Sequence, residues 1–412
     1  MNSNFKSILF LGVGGVSMHQ LAICFKEMGF SVLGYDSKES NYTKQCKAKG
    51  ISITHRYDKD FLNVDLCVRT GAIKENNRWV KALKNLNVPI VDRAEILGWL
   101  SSKFKQVIAV AGTHGKSTTA SLIYEILRMS GRCVSCHIGA DVFAPRFNIT
   151  DEFLVVEACE YNKSFLSLFP TISVITNVEP EHLDSYGNFF NLKNAFLTFA
   201  KRAKKRFVMN EPSTKFLNKL KNVEKVEIET NLNTKLKGEH NLKNLSIAVA
   251  VTKFLGVKKE IIQEVIQNFK GIPRRYELIG KVASTKVYID YAHHPTEVNA
   301  FITAFKKEYK NSLIVFQPHT YSRTKNLFKD FIEVLKNVEN LIIYKEYPAR
   351  ENKAQGYSAF QLFKYIQQIN NLVEYCSNAN NVIKKIQEFD AVAFVGAGDI
   401  NLVAEKIVKR NL

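Results

Sequence analysis

Short apolar runs closed by a glycine or a carboxylate alternate with amphipathic stretches along most of the chain. This is the pattern of strands alternating with helices in α/β proteins. An apolar run at 8–11 ends in Gly12-Val13-Gly14-Gly15, an amphipathic helix follows through residue 25, and a second strand at 31–35 closes on Asp36. Strand, glycine turn, helix and strand-terminal carboxylate outline a Rossmann-like unit. A shorter strand at 66–68 leads into Thr70-Gly71-Ala72-Ile73, another glycine-containing exit.

A second unit begins near Phe104. Its run at 107–111 is continuously apolar, as expected of a central parallel strand covered on both faces, and a helix is predicted at 117–129. Further strands are predicted at 153–157 and 172–176. The Lys- and Asn-rich stretch 214–237 reads as a variable surface insertion, followed by helices at 241–254 and 259–268. Gly271-Ile272-Pro273 interrupts helix and marks the next boundary. Beyond it, strands are predicted at 287–290, 313–316, 341–344 and 391–395. Three α/β domains follow: a Rossmann-like N-terminal domain (1–103), a central P-loop ATPase-type domain (104–273) and a C-terminal Rossmann-like domain (274–412).

Composition narrows the class. A chain of 412 residues exceeds one ordinary core. No apolar run approaches the roughly 18 residues of a membrane span, and Met1-Asn2-Ser3-Asn4-Phe5-Lys6 lacks the features of a signal peptide. The expectation is a cytoplasmic protein, monomeric or weakly self-associating, with no membrane insertion. The formal charge of +19 raises nucleic-acid binding. The lysines are spread along presumed helix faces, however, and no zinc-ligand or aromatic-basic RNA motif accompanies them. A solvated surface, with no nucleic-acid partner, is the reading. The seven cysteines are odd in number and scattered, against a disulfide framework. Cys133-Val134-Ser135-Cys136-His137 fits a haem-attachment spacing, but it reads as a buried strand whose cysteines act as small hydrophobes.

The chemistry concentrates at Gly112-Thr113-His114-Gly115-Lys116-Ser117. Backbone N–H groups at a glycine-rich turn entering a helix present donors and a positive dipole to phosphate. Lys116 can neutralise phosphate charge and Ser117 can ligate Mg²⁺. Val110 stands where a strict Walker motif has its first glycine, so the loop is a shortened variant that binds ATP. Mg²⁺ needs hard oxygen ligands. Glu157, at the end of an apolar strand, and His182, in Asn177-Val178-Glu179-Pro180-Glu181-His182, are the candidates. Asp36 sits where a nucleotide sugar is often held, or serves only as a cap or turn residue. Three polar runs in the C-terminal half lack a packing purpose: Asp290-Tyr291-Ala292-His293-His294-Pro295, Gln317-Pro318-His319-Thr320-Tyr321-Ser322-Arg323-Thr324 and Ala349-Arg350-Glu351-Asn352.

Together these motifs resemble the muramyl ligases, ATP-dependent amino-acid-adding enzymes of peptidoglycan synthesis. The resemblance adds Asp92-Arg93-Ala94-Glu95, Thr118-Thr119, Gly238-Glu239-His240-Asn241-Leu242-Lys243-Asn244, Arg274-Arg275-Tyr276 and Gly396-Ala397-Gly398-Asp399-Ile400, and covers essentially the whole chain. Phe316-Gln317-Pro318-His319 and Ser322-Arg323-Thr324 point to the alanine-adding branch. The resemblance implies that UDP-N-acetylmuramate and L-alanine are joined through an acyl phosphate. It implies Gly14, Gly15 and Val16 as donors to the UDP pyrophosphate, with Thr70 and Asp36 nearby. ATP would meet Gly112, Thr113, His114, Gly115, Lys116, Ser117 and Thr118, with His240, Asn241 and Asn244 at adenine and Arg275 and Asp290 from the third domain. Mg²⁺ would be held by Ser117, Glu157 and His182, and Tyr291, His293 and Arg323 would line the amino-acid and muramate carboxylate site. Catalysis is assigned to Lys116, Glu157, His182 and His293.

Several positions depart from the family pattern. Ala158-Cys159-Glu160-Tyr161-Asn162-Lys163 replaces an acidic stretch, Glu181 stands for Asp, and Thr320 occupies a position often held by Arg. Phe196 falls where sibling ligases carry a carbamylated lysine. The rivals are a recycling ligase that adds a preformed peptide to the same nucleotide sugar, and a non-catalytic nucleotide- or nucleic-acid-binding protein.

Overall fold

A computed structural model describes residues 5–139, 147–349, 351 and 357–410. Arg350 and Asn352, singled out above, lie outside the described residues.

Three sheets build a three-domain α/β fold. The first contains β1 (Ser7–Leu11), β2 (Ser31–Tyr35), β3 (Ser52–Thr54), β4 (Leu66–Arg69) and β5 (Ile90–Asp92) in the order β3-β2-β1-β4-β5, all parallel. The second contains β6 (Gln106–Ala111), β7 (Val134–His137), β8 (Phe153–Glu157), β9 (Ile172–Ile175), β10 (Lys205–Met209) and β11 (Val223–Val226), ordered β11-β10-β9-β6-β8-β7 and again parallel. The third contains β12 (Glu277–Val282), β13 (Thr285–Asp290), β14 (Ser312–Phe316), β15 (Leu341–Tyr344), β16 (Glu374–Cys376) and β17 (Ala391–Val395), ordered β12-β13-β17-β14-β15-β16. Only β12 runs antiparallel, pairing with β13 through an irregularity between Leu278 and Gly280. Residues up to Lys235 with Leu242–Phe269 form one compact unit, and Leu236–Asn241 with the chain from Lys270 form another.

The apolar runs dictate this layering. Val107, Ile108, Ala109, Val110 and Ala111 are all inaccessible, because a central parallel strand is covered by helices on both faces. One continuous core joins the first two sheets, running from Ile8, Phe10 and Leu21 through Ile96, Leu97 and Phe165 to Phe196 and Phe199. The helix Arg93–Ser101 supplies the bridge, and Gly98 is required there because a Cβ would strike the Ser167 carbonyl.

Two expectations are corrected. The stretch 214–237 is not wholly a surface insertion: it contributes β11 to the sheet edge beside β10, and Thr214 and Leu217 are buried. Lysines are tolerated in an edge strand because they discourage further pairing. Cys133, expected in the core, is exposed just ahead of β7, whereas Cys136 within the strand is buried. All seven cysteines are free thiols. No helix among the described residues is long and apolar enough to cross a membrane.

Candidate active site

In the second sheet, β6 lies between β8 and β9, so the chain leaves β6 toward one edge and later returns on its other side. Such a switch point opens a crevice at the carboxyl ends of the strands. The loop Gly112–Gly115 occupies it, and the helix Lys116–Met129 starts directly behind, with Gly115 at φ 82° as its N-cap. That left-handed conformation and the proximity of the Asn244 side chain leave no room for a Cβ. The exit of β9 clamps the loop from the other side. Thr113 N donates to Asn177 O (3.1 Å), His114 N to Asn177 Oδ1 (2.8 Å), Glu179 N to Thr113 Oγ1 (2.8 Å) and Thr176 Oγ1 to His114 O (2.6 Å). His114 Nε2 also lies 3.5 Å from Glu179. Thr118 is buried in the first turn of the helix.

Lys116 folds over its own loop. Its ammonium donates to Gly112 O (2.5 Å), Thr113 O (2.9 Å) and the Glu160 carboxylate (3.1 Å). Burial alone would depress this amine, but Glu160 foremost, with Cys159, Glu157 and Glu181, holds it above the ordinary lysine value. Ser117 Oγ donates to Glu157 Oε2 at 2.9 Å, and the same oxygen accepts Gly139 N at 2.7 Å. His182 is grouped with Glu160 and Glu181, one ligand atom from each lying within 4.8 Å of the others. The predicted metal-binding residues thus divide into a hydroxyl–carboxylate pair, Ser117 and Glu157, and a cluster built on His182. Both offer the hard oxygen donors that suit Mg²⁺. Phe196 is wholly buried against Phe165 and belongs to the core. Glu160 was missed as a site residue from sequence, although its spacing of three from Glu157 was visible.

The glycine turn of the first sheet follows β1, which is flanked by β2 and β4. Gly12 and Val13 donate to Tyr35 O, and Gly14 N donates to Asp36 Oδ2 at 2.8 Å. Asp36 therefore braces the turn. Gly15 N reaches Gly12 O at 3.3 Å and caps the helix that Val16 opens. Thr70 packs against Gly12, where a Cβ would collide with it.

In the helix Glu239–Phe254, Asn241 Nδ2 donates to Lys237 O at 2.7 Å, and His240 lies against Gly238. Asn244 receives Thr119 Oγ1 at 3.4 Å.

The third domain places two of its polar runs at the ends of β13 and β14. Asp290 accepts Tyr276 N (2.8 Å) and Ala292 N (2.7 Å), and burial raises its carboxyl to about 6. The Arg274 and Arg275 guanidinium carbons lie 4.7 and 5.4 Å from the Tyr291 ring centre. Arg275 pairs with Glu297 at 3.3 Å. His293 Nδ1 meets Tyr291 O at 2.9 Å, and its ring lies 5.9 Å from His319. Burial, followed by the charges of His293 and Arg323, depresses His319 to about 4. The neutral ring can therefore accept from Arg323 Nη1, 3.0 Å from Nδ1. His319 and Glu297 join the predicted Tyr291, His293 and Arg323, and Thr320 takes a positive φ of 65° at this bend.

Comparison with known proteins agrees along the whole chain. Residues 7–105 match the Mur ligase family, catalytic domain, residues 110–231 the Mur ligase middle domain, and residues 274–398 the Mur ligase, glutamate ligase domain. The UDP-N-acetylmuramate–L-alanine ligase of Caldicellulosiruptor bescii is 34% identical, covering 97% of this chain and 98% of its own length. That of Aquifex aeolicus is 35% identical, covering 99% and 98%. The crystal structure of UDP-N-acetylmuramate–alanine ligase from Thermotoga maritima aligns over 99% of both chains with a TM-score of 0.81 at 22% identity.

Proposed function

Because the chain belongs to the Mur ligase family, we propose that it is an ATP-dependent ligase joining L-alanine to the lactyl carboxylate of UDP-N-acetylmuramate in peptidoglycan synthesis. The observation that carries the chemistry is the placement of Lys116 among Glu157, Glu160 and Glu181, with the Ser117–Glu157 contact alongside. A phosphate loop lined in this way is built to hold a nucleotide triphosphate and hard cations together.

The lactyl carboxylate attacks the γ-phosphorus of ATP, giving an acyl phosphate and ADP. The amine of L-alanine then adds to the acyl carbon, and the tetrahedral intermediate collapses to amide and inorganic phosphate. The backbone N–H groups of the first turn of the helix Lys116–Met129, together with Lys116, spread the charge that develops on the transferred phosphoryl group. Ser117 and Glu157 would hold one Mg²⁺, and His182, with Glu160 and Glu181, a second. Bound there, the cations would supply further neutralisation of phosphate charge. Gly14, Gly15, Val16, Asp36 and Thr70 serve the nucleotide-sugar end, and Tyr291, His293 and Arg323 the amino acid. We place the domain boundaries at 1–103, 104–273 and 274–412, the protein in the cytoplasm, and its state as a monomer or weak oligomer.

Phosphate release from ATP, measured with UDP-N-acetylmuramate and either L-alanine, glycine, L-serine or a tripeptide, tests this reading. L-alanine should drive the fastest release. Release driven only by the tripeptide would transfer the protein to the peptide-adding branch, and no amino-acid-dependent release would sink the ligase reading.

A further inference from the structure

Ser17 is the second residue of the helix Val16–Glu27, directly behind the glycine turn of the first sheet. Its hydroxyl lies 2.8 Å from His137 Nε2 and accepts Arg93 Nη1 at 3.0 Å. Arg93 opens the helix Arg93–Ser101, and His137 ends β7. Gln20, one turn beyond Ser17, donates through Nε2 to Ile138 O at 3.0 Å. Three elements drawn from the first two sheets therefore meet in a polar seam.

This seam has an uncompensated charge and unfilled hydrogen-bonding capacity. Among the described residues, no carboxylate lies within ion-pairing distance of the part-buried Arg93. His137, only 3% exposed, has no partner at Nδ1, and buried Gln20 has none at Oε1. Buried polar atoms are nearly always satisfied, and a part-buried cation without a counter-charge is costly. The uncompensated Arg93 cation calls for a ligand carrying negative charge, and Gln20 Oε1, an acceptor, for a donor group beside it.

Position identifies that ligand. Ser17 stands two residues after Gly15, and His137 two residues before Gly139, whose N–H holds Glu157, which in turn accepts Ser117. The seam thus lies on a continuous path from the glycine turn to the phosphate loop. A nucleotide sugar bound at the turn, with its carboxylate offered to the γ-phosphate, would run beside it.

We infer that Arg93, held in place by Ser17 and His137, forms an oxyanion subsite for the nucleotide sugar. The oxyanion is either the lactyl carboxylate or the pyrophosphate. The subsite rests on the ligase reading above.

Calorimetric titration of the full-length protein with UDP-N-acetylmuramate, UDP-N-acetylglucosamine (the same nucleotide sugar without the lactyl carboxylate) and UDP tests it. Arg93→Gln should weaken UDP-N-acetylmuramate binding at least about tenfold, while ATP affinity, which reports an intact fold, stays unchanged. Weakening confined to UDP-N-acetylmuramate assigns the subsite to the carboxylate, and parallel weakening of all three assigns it to the pyrophosphate. Arg93→Lys should recover part of the affinity. Ser17→Ala, which keeps the charge but frees it, should give a smaller loss in the same ligand pattern. Arg93→Gln and Ser17→Ala proteins that bind all three ligands like the wild type, while the wild type remains an active ligase, would overturn the inference and leave the ligase reading standing. A wild type that fails to bind UDP-N-acetylmuramate would remove both.

Discussion

Lys116 Nζ lies 3.1 Å from each carboxylate oxygen of Glu160, a residue only 2% exposed. Removing one member of such a buried pair leaves the other charge without compensation, which typically costs about 3–5 kcal/mol. Lys116→Ala should therefore abolish turnover and also lower the urea midpoint. Lys116→Ala/Glu160→Gln should recover much of the stability and none of the activity. Equal stability of the single and double variants would show that the pair is not coupled.

Ser117→Ala removes a hydroxyl that donates to the Glu157 carboxylate. The fold should be little affected, because Glu157 keeps the Gly139 N–H. Phosphate release should fall by about 10²-fold, the scale of losing one group that stabilises developing charge, and should need more Mg²⁺ for half-maximal rate. A magnesium titration of steady-state phosphate release checks both effects.

Asp290 is raised to about 6 chiefly by burial. A carboxyl that binds its proton more tightly when folded stabilises the protein most below its unfolded value, and that contribution is lost as pH rises from about 4 to about 6. His319 and His137, depressed by burial to about 4 and about 3, act in the opposite sense. Their contribution is present above about 6.5 and is lost as pH falls toward those values. The stability of wild type relative to Asp290→Asn should therefore increase on acidification from pH 6 to pH 4, by about 2 kcal/mol. Urea titrations at the two pH values read this directly.

Gly98 presents two opposing effects. Alanine would gain about 1 kcal/mol of helix propensity, but its Cβ would strike the Ser167 carbonyl, a backbone atom that cannot simply rotate away. Overpacking of this kind costs about 1–3 kcal/mol. Gly98→Ala should be net destabilising in thermal unfolding while nucleotide binding at the phosphate loop persists.

The parts of the molecule visible in the sequence are those where one strong local signal decides the structure. The apolar run 107–111 needs cover on both faces, and Gly115 needs its left-handed turn, so the phosphate loop falls where expected. The helix Lys259–Asn268 also matches its predicted limits. β11 escaped because Glu224 and the exposed Lys225 fill its middle at a sheet edge, where the apolar alternation is faint. β12 escaped because its register shifts between Leu278 and Gly280. Glu160 was visible as a departure from a family pattern, but its pairing with Lys116 depends on the chain folding back between β8 and the 3₁₀ turn Tyr161–Ser167. The Ser17–His137 contact spans 120 positions, and nothing in local periodicity marks it.

The clamp between the phosphate loop and the exit of β9 has a kinetic consequence. Thr113 and His114 have their backbone amides already committed to Asn177, so this part of the loop is ordered before nucleotide arrives. Little conformational entropy remains to be lost there on binding, and encounter need not wait for a rare open-to-ordered transition. The release of Lys116 from Glu160 is a side-chain rearrangement on the nanosecond scale rather than a slow refolding of the loop, so nucleotide capture should be limited by encounter. Association should show a single fast phase that scales linearly with nucleotide concentration.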